Sequence, residues 1–597
     1  MKKKWYVGLL IFCIALSFLL YGNTIRNDFV YDDTLFTYRT DTRSISSLAR
    51  IFFQPYLPNN PQSGVWRPIA TITTALQYIT TGESPSWFHL TNIMLNGLVT
   101  FLVIILIYEL FHQQSLAIIT ALLFAFFPIH TEAVAFIKSR EDLFASVFFL
   151  LSWILFLLAT RIRPIKTSML ILSAGIFLLS VLSKETFIAA PLLFIVVYTV
   201  QHELTLKNIL QLIPYYLIPF AFYVLTRYLV LSNYAFGSDN SSYVINPLRF
   251  VDVWTRIWTA FQIAFIYIKT VLFPIHLSAS YHFNQVPLVH NPLESLQSIS
   301  GIILLTGFIF LSVTKRLKKT PIGIGAIIFL VSYFVISKFL FTAGEIMAER
   351  WMYIPSLGLA LITAYLIHCL IKRHRSAGLL ILCVILLWYT SIIIPRNRVW
   401  FSKKTLYESM TRDSPRSAQA HYLLGSLYFY EKNYALAKQE IDKASSIYPD
   451  YAPILTLQGD LSVMEGKYSE AEDYLLKATR LDASSFRSFV DLANVYYLTG
   501  KFTEAVKYYE ALVPKAFGRL APENFLAYAT SLTKLGKYRE SINIINENIP
   551  KNDMSEVSFI LAVNLYKLGE IDLAKKYLNW NSNLTEEQKI EMIRTFH

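Results

Sequence analysis

Cysteine is scarce: Cys13, Cys369 and Cys383 are the only three in 597 residues, and all fall inside apolar runs. That excludes a disulfide framework and a zinc site. Charge is scarce as well, with 16% of residues ionic against 54% hydrophobic and 15% aromatic. A mean hydropathy of +0.42 leaves too little ionic surface for a soluble chain of this size. Polar residues are few near the centres of the apolar runs, which counts against a transporter. Acidic residues are outnumbered 41 to 54, a net charge of +13. The excess forms no nucleic-acid-binding stripe, because it sits in short clusters between apolar runs: Lys2-Lys3-Lys4, Arg161/Arg163/Lys166, Lys315-Arg316/Lys318-Lys319 and Lys372-Arg373/Arg375. That is the pattern of cytoplasmic loops, and no nucleic-acid partner is expected.

What is present in quantity is hydrophobic length. Roughly 11–12 apolar segments, near 5–22, 89–111, 115–128, 142–160, 168–183, 187–201, 209–231, 257–275, 297–314, 322–342, 353–371 and 377–395, predict an all-α, multi-span membrane domain over residues 1–400. The first run follows lysines as a signal peptide would, but it has no small-residue cleavage site and reads as an uncleaved span. With the basic clusters in the cytoplasm, the loop 23–88 and everything after 395 face the other side, a periplasm, a cell surface or an endoplasmic reticulum lumen. One conflict remains. Run 257–275 then has both ends outside, so it is a re-entrant or surface helix, or a neighbouring segment is misassigned.

After a linker at 401–417 a 34-residue period begins: Gly425, Ala437, Ala444 and Pro449 recur as Gly459, Ala471, Ala478 and Ala483. Further units carry Leu492, Tyr496, Gly500 and Ala505, then Gly536 and Gly569. Residues 418–597 therefore predict a tetratricopeptide α-solenoid of about four or five repeats, whose groove suits a peptide or protein partner.

Ionisable residues at span ends cost free energy unless paired or solvated, so clusters of them are candidate functional groups. Four clusters fall on the same predicted face: Asp32-Asp33, His130-Thr131-Glu132 through Lys138-Ser139-Arg140-Glu141-Asp142, Ser183-Lys184-Glu185, and Glu349-Arg350 leading to Tyr353. Adjacent carboxylates repel, so one is driven towards a raised pKa while its partner serves as a general base or holds a divalent metal. Arginine and lysine suit a phosphate. Each cluster alone is as readily an ordinary cap, interfacial anchor or ion pair; together they argue for a shared polar cavity. His89, Asn92 and Asn96 share one face of a helix, and that polar stripe should face protein. The long loop 23–88, with Trp66-Arg67-Pro68, reads as a structured cap over the cavity.

In this order, Tyr31-Asp32-Asp33, His89-x-x-Asn92, Pro128-Ile129-His130-Thr131-Glu132-Ala133-Val134, Ser183-Lys184-Glu185 and Glu349-Arg350-x-x-Tyr353-Ile354-Pro355, followed by the repeats, the sequence resembles the TMTC family of transmembrane and tetratricopeptide repeat-containing protein O-mannosyltransferases. It departs in its short solenoid and in Arg140-Glu141-Asp142, where the family tends to have Arg-Ala-Asp. The resemblance implies a GT-C fold and a membrane glycosyltransferase that moves mannose or another hexose from a polyprenyl- or dolichyl-phosphate donor to an acceptor hydroxyl. The acceptor would be a Ser or Thr of a protein held by the repeats. On that reading Asp32 or Asp33 deprotonates the acceptor for an inverting displacement, and Lys184, Arg350 and Arg140 or His130 stabilise the departing phosphate. Glu132, Glu185, Glu349, His89, Asn92 and Tyr353 support them. No cofactor is expected beyond the lipid-linked donor, and a divalent metal is not favoured, because a carboxylate pair rarely completes an oxygen shell. The competing readings are an O-antigen ligase or polymerase-like enzyme, which would need arginines in a large late loop, and a non-enzymatic membrane-anchored scaffold.

Overall fold

The computed structural model describes residues 3–34, 44–58, 60–161, 165–202, 206–236, 241–513, 520–549, 555–577 and 584–596, whose regular structure is helical with no strand among them. Lys2 and Arg163 of the basic clusters, and residues 35–43 and 59 of the long loop, lie outside that set. The chain divides into two compact units, Met1–Ala420 and His421–His597.

Among the described residues of the first unit, eight helices are long and apolar enough to cross a membrane. A bent pair, Gln114–Phe126 with Pro128–Ala135, makes a ninth candidate, broken by 55°, and Thr167–Ser183 and Pro321–Phe334 are shorter apolar helices. The protein is a multi-pass membrane protein. Between apolar helices in lipid the hydrophobic effect offers little, so close approach through small residues does the packing. Gly325 and Gly358 illustrate it: a Cβ on Gly325 would lie 2.7 Å from the Gly358 carbonyl oxygen, and one on Gly358 2.3 Å from that of Gly325. The helices Pro321–Phe334 and Ser356–Arg373 thus cross backbone to backbone. Gly97 brings Pro85–Phe111 equally close to the first span, with a notional Cβ 2.8 Å from the Ile14 Cα.

The segment 257–275 forms an amphipathic helix. The helix is Val253–Leu272, N-capped by Asp252, whose side chain accepts from the amides of Trp254 and Thr255. It buries Thr255, Thr259 and Gln262, packs on Leu296–Val313, and is not among the eight long apolar helices. Its polar residues face protein, as those of a surface helix or of a packed span must. The stretch 401–417 is also more than a linker: Lys403–Asp413 is a helix, started by a capping box between Ser402 and Thr405. Its polarity hides it from any hydropathy scan.

The second unit is a run of antiparallel helix pairs. Described pairs are Tyr434–Ile447 after Ala418–Tyr430, then Ala452–Met464 with Tyr468–Leu481, Phe486–Leu498 with Phe502–Leu512, Pro522–Lys534 with Tyr538–Asn548, and Ser555–Lys567 with Ile571–Lys575, followed by Glu586–Thr595. The repeating small residues do what their spacing predicts. Gly425 faces Ile441 and Ala437, and Gly459 faces Leu475, at distances that leave no room for a Cβ.

Candidate functional site

One end of the membrane unit gathers the ionisable groups. Tyr31, Asp32 and Asp33 form a single 3-10 turn after the first span. The two carboxylates there differ in kind. Asp33 is fully buried and spends both oxygens on backbone, Oδ2 accepting from the Val30 amide (3.1 Å) and Oδ1 from the Lys138 amide (2.7 Å). Burial pushes its carboxyl up to about 7, against the pull of those two amides. Asp32 is partly exposed, and its Oδ2 accepts from Lys138 Nζ at 2.6 Å. Tyr31 holds φ +50°, a left-handed conformation that a bulky residue rarely adopts and that clusters at functional sites. The turn therefore anchors itself through Asp33 and presents Asp32.

Around it lie three further ion-pair groups. Lys184 Nζ donates to Asp142 Oδ2 at 2.6 Å, both groups being buried. Arg67 clamps Glu185, with its Nε donating at 2.8 Å, and also pairs with Glu141. Arg350 holds Glu132, its own amide donating to Oε2 at 3.0 Å and its guanidinium to the other oxygen, and reaches Glu345 at 2.9 Å. Burial works against the Arg350 charge, but Glu345 and Glu132 outweigh it and hold the guanidinium well above its ordinary value. Conversely, Arg350 and His282 overcome burial at Glu345 and bring it down to about 2. Tyr56 stacks beneath both Arg67 and Lys138, 5.8 and 6.0 Å from its ring centre, so the diacid group and the Arg67 group share one aromatic floor.

A pocket opens where these groups meet the membrane helices. Asp142 and Arg350 supply its charge; Phe149, Phe187, Leu193, Val331, Ile336, Tyr353 and Pro355 supply apolar walls. Its internal free space is about 40 Å³. The pocket thus sets one charge of each sign beside apolar walls.

Several residues expected at a phosphate lie elsewhere. Arg140 is buried and donates to Gln77 Oε1 (2.7 Å) and the Phe88 carbonyl (3.1 Å), with its guanidinium 4.6 Å from the Phe88 ring centre. Its donors knit Pro68–Thr81 to Pro85–Phe111. His130 is also interior, its Nε2 2.8 Å from Ser356 Oγ and its ring against Phe124 and Tyr353. Both leave the phosphate-binding set, because a buried group whose bonds face inward cannot reach a ligand at the rim. The expected supports are interior too. Asn92 donates to the Val134 and Phe136 carbonyls, His89 is buried beside it, and Tyr353 donates to Asn96 Oδ1 at 2.7 Å. Glu349 accepts from the Ser278 amide (2.7 Å) and the Tyr281 hydroxyl (2.8 Å), with Arg396 at 3.4 Å; burial raises it to about 7 despite that arginine.

Arg67 and Glu345 belong to the cluster and escape a motif-based reading. The signal for Arg67 was its setting, between a tryptophan that becomes fully buried and a proline that starts the helix Pro68–Thr81. Glu345 has no comparable marker beyond its place four residues before Glu349.

In the second unit the first helices of successive pairs carry a polar row. Arg487 bridges Asp460 (2.5 Å) and Asp491 (3.4 Å) and lies 5.6 Å from the Tyr430 ring centre, while Asn494 donates to Asn524 at 3.0 Å. Burial and the neighbouring Asp460 push the Asp491 carboxyl up, against the pull of Arg487.

Tetratricopeptide-repeat family models match residues 418–451 and 456–524. Over 515 residues the chain is 24% identical to the protein O-mannosyl-transferase TMTC1 of Homo sapiens, covering 75% of this chain and 56% of that one. It is 24% identical over 472 residues to the human TMTC3 protein O-mannosyl-transferase, 72% and 50% of the two chains. A 186-residue stretch is 35% identical to the Drosophila melanogaster protein O-mannosyl-transferase Tmtc1, 30% and 21% of the two. The chain thus spans about half the length of the curated relatives it matches across most of its own.

Proposed function

The chain is a relative of the TMTC protein O-mannosyl-transferases, and from that premise we propose that it is a GT-C-type glycosyltransferase moving mannose or another hexose from a polyprenyl- or dolichyl-phosphate to a protein hydroxyl. The observation that carries this reading is one partly exposed carboxylate, Asp32, at the same end of the membrane unit as the ion-paired Arg350, Arg67 and Lys184 and a pocket with apolar walls. The Asp32 carboxylate takes the proton of the acceptor hydroxyl while that hydroxyl's oxygen bonds to the anomeric carbon. The bond from that carbon to the phosphate oxygen breaks with inversion, and the lipid phosphate leaves with the electron pair. Lys138, released from Asp32 as that group protonates, joins Arg350 in meeting the new charge. Lys184 acts one step back, by fixing Asp142 at the pocket wall.

The reading places this face outside the cytoplasm. It is supported by helices such as Arg140–Thr160 and Ser356–Arg373, which start at the site and end at Arg161 and at Lys372-Arg373. A resident metal is not part of the proposal, because the carboxylates at the mouth are already matched to Lys138, Lys184, Arg67 and Arg350. The repeats present the protein acceptor.

The test is to incubate purified protein with a panel of polyprenyl-phosphate sugars and an acceptor peptide mixture, with and without a chelator. Transfer in both conditions, abolished in Asp32→Asn, supports the proposal. No turnover of any donor would favour the scaffold reading, and chelator-sensitive transfer would remove the metal-free mechanism.

A further inference from the structure

A second groove lies beside the diacid turn and shares no lining residue with the pocket above. Gly22, Asn23, Ile25, Arg26 and Asn27 line one side and Arg398, Phe401 and Thr405 the other of an open groove of about 730 Å³. That is within the range of about 300–1,000 Å³ usual for ligand sites. Its walls are fixed. Asn23 donates to the Ile394 carbonyl (3.0 Å) and Asn27 to that of Asn397 (3.1 Å). Asn397 donates in turn to the Leu20 carbonyl (2.8 Å) and Asn23 Oδ1 (2.7 Å), and the Asp28 amide to the Phe401 carbonyl (3.0 Å).

The arginines of this groove differ from those of the site. Arg67, Arg350 and Arg396 are each locked to carboxylates. Arg26 and Arg398 are exposed, and neither has a carboxylate within ion-pair distance among the described residues. A single cation at a helix C-terminus can be explained by the helix dipole. Two that line one groove repel each other, and that arrangement calls for an anion. The flanks say where the anion comes from. Leu19 and Ile394, at the ends of the two apolar helices that form the groove, are 70% and 37% exposed, and Phe401 is 49% exposed. Apolar surface continuing from a cationic notch at a span end is a surface for acyl chains below a headgroup.

We propose that this groove binds one anionic glycerophospholipid of the surrounding bilayer, its phosphate between Arg26 and Arg398 and its chains along Leu19 and Ile394. The site stands independently of the transferase reading. Because Asn27 and Asp28 connect it directly to the Tyr31–Asp33 turn, an occupied groove also steadies that turn.

The experiment is native mass spectrometry of the full chain released from nanodiscs of phosphatidylcholine with or without phosphatidylglycerol. Wild type should retain one phosphatidylglycerol in preference to phosphatidylcholine. The double variant Arg26→Gln/Arg398→Gln should weaken that preference about tenfold, the scale of one charge-assisted hydrogen bond. Arg249→Gln, an exposed arginine elsewhere in the unit, should keep it, and Arg26→Lys/Arg398→Lys should retain most of it. Equal retention of the two lipids, or a preference unchanged in the double variant, would overturn the proposal. Displacement of the lipid by inorganic phosphate would show a free-phosphate site and overturn the assignment to lipid.

Discussion

Adjacent aspartates look interchangeable in a sequence, yet their surroundings separate them. Asp33 has no solvent and two amide donors, whereas Asp32 has a lysine and a path to water. Asp33→Asn replaces an acceptor oxygen with an amide group facing an N–H, so it should cost about 1–2 kcal/mol of stability in the membrane unit, read by a thermal melt. Asp32→Asn should leave the melt within about 0.5 kcal/mol, as a partly exposed group does, and abolish transfer. The reverse pattern would move the base to Asp33. Glu349 gives a second prediction at this scale. Its folded pKa of about 7 lies above the ordinary carboxylate value, so the folded state binds more protons there. Its stabilising contribution is complete below about pH 4, and it is lost as pH rises through about 7. Melting temperature should therefore fall from about pH 4 to about pH 7, and Glu349→Gln should flatten that slope. Asp33 titrates in the same range with the same sign, so the flattening should be partial.

At the scale of elements, what the sequence makes legible is what depends on neighbours along the chain. Apolar runs predict the spans, and the 34-residue spacing predicts the helix pairs, because both are local periodicities. The helix Val253–Leu272 is ambiguous in the sequence because its polar face is hidden only by packing. The helix Lys403–Asp413 is missed because it is short and polar. Within the candidate site the residue types are legible and the partners are not: Arg350 and Glu132 stand 218 positions apart, and Arg67 and Glu185 stand 118 apart. Arg140 and His130 are misassigned for the same reason, since an inward or outward direction is a tertiary fact. The repeats allow a prediction from local geometry alone. Gly466, Gly500, Gly536 and Gly569 close successive turns with positive φ, and in the first pair Lys432 adopts φ +62° at the matching turn. A side chain is strained there and glycine is not. Lys432→Gly should stabilise the second unit by about 0.5–1 kcal/mol, measured by denaturant unfolding of the repeat unit, and a loss of stability would contradict this.

At the scale of the molecule, the two units are built for different solvents. The membrane unit buries ion pairs among helices whose outer faces expose Leu217, Ile218, Leu229 and Leu387. The repeats bury their own core around Leu475, Leu492, Tyr509 and Leu532, and their outer positions carry charge. Each unit closes its own core, so the chemistry and the presentation of an acceptor should separate experimentally. Removal of 421–597 should leave the Asp32, Arg350 and Lys184 groups intact, since all their partners lie in the first unit. Such a truncated protein should still release sugar from a polyprenyl-phosphate donor to water or a small hydroxyl acceptor at a rate within a few fold of the full chain, and should lose transfer to protein. Restoration by the repeat unit added in trans would require concentrations far above those of the intact chain, because the covalent link supplies an effective concentration of about millimolar order. If the truncated protein glycosylates protein acceptors as well as the full chain does, the repeats do not hold the acceptor, and the membrane unit selects it alone.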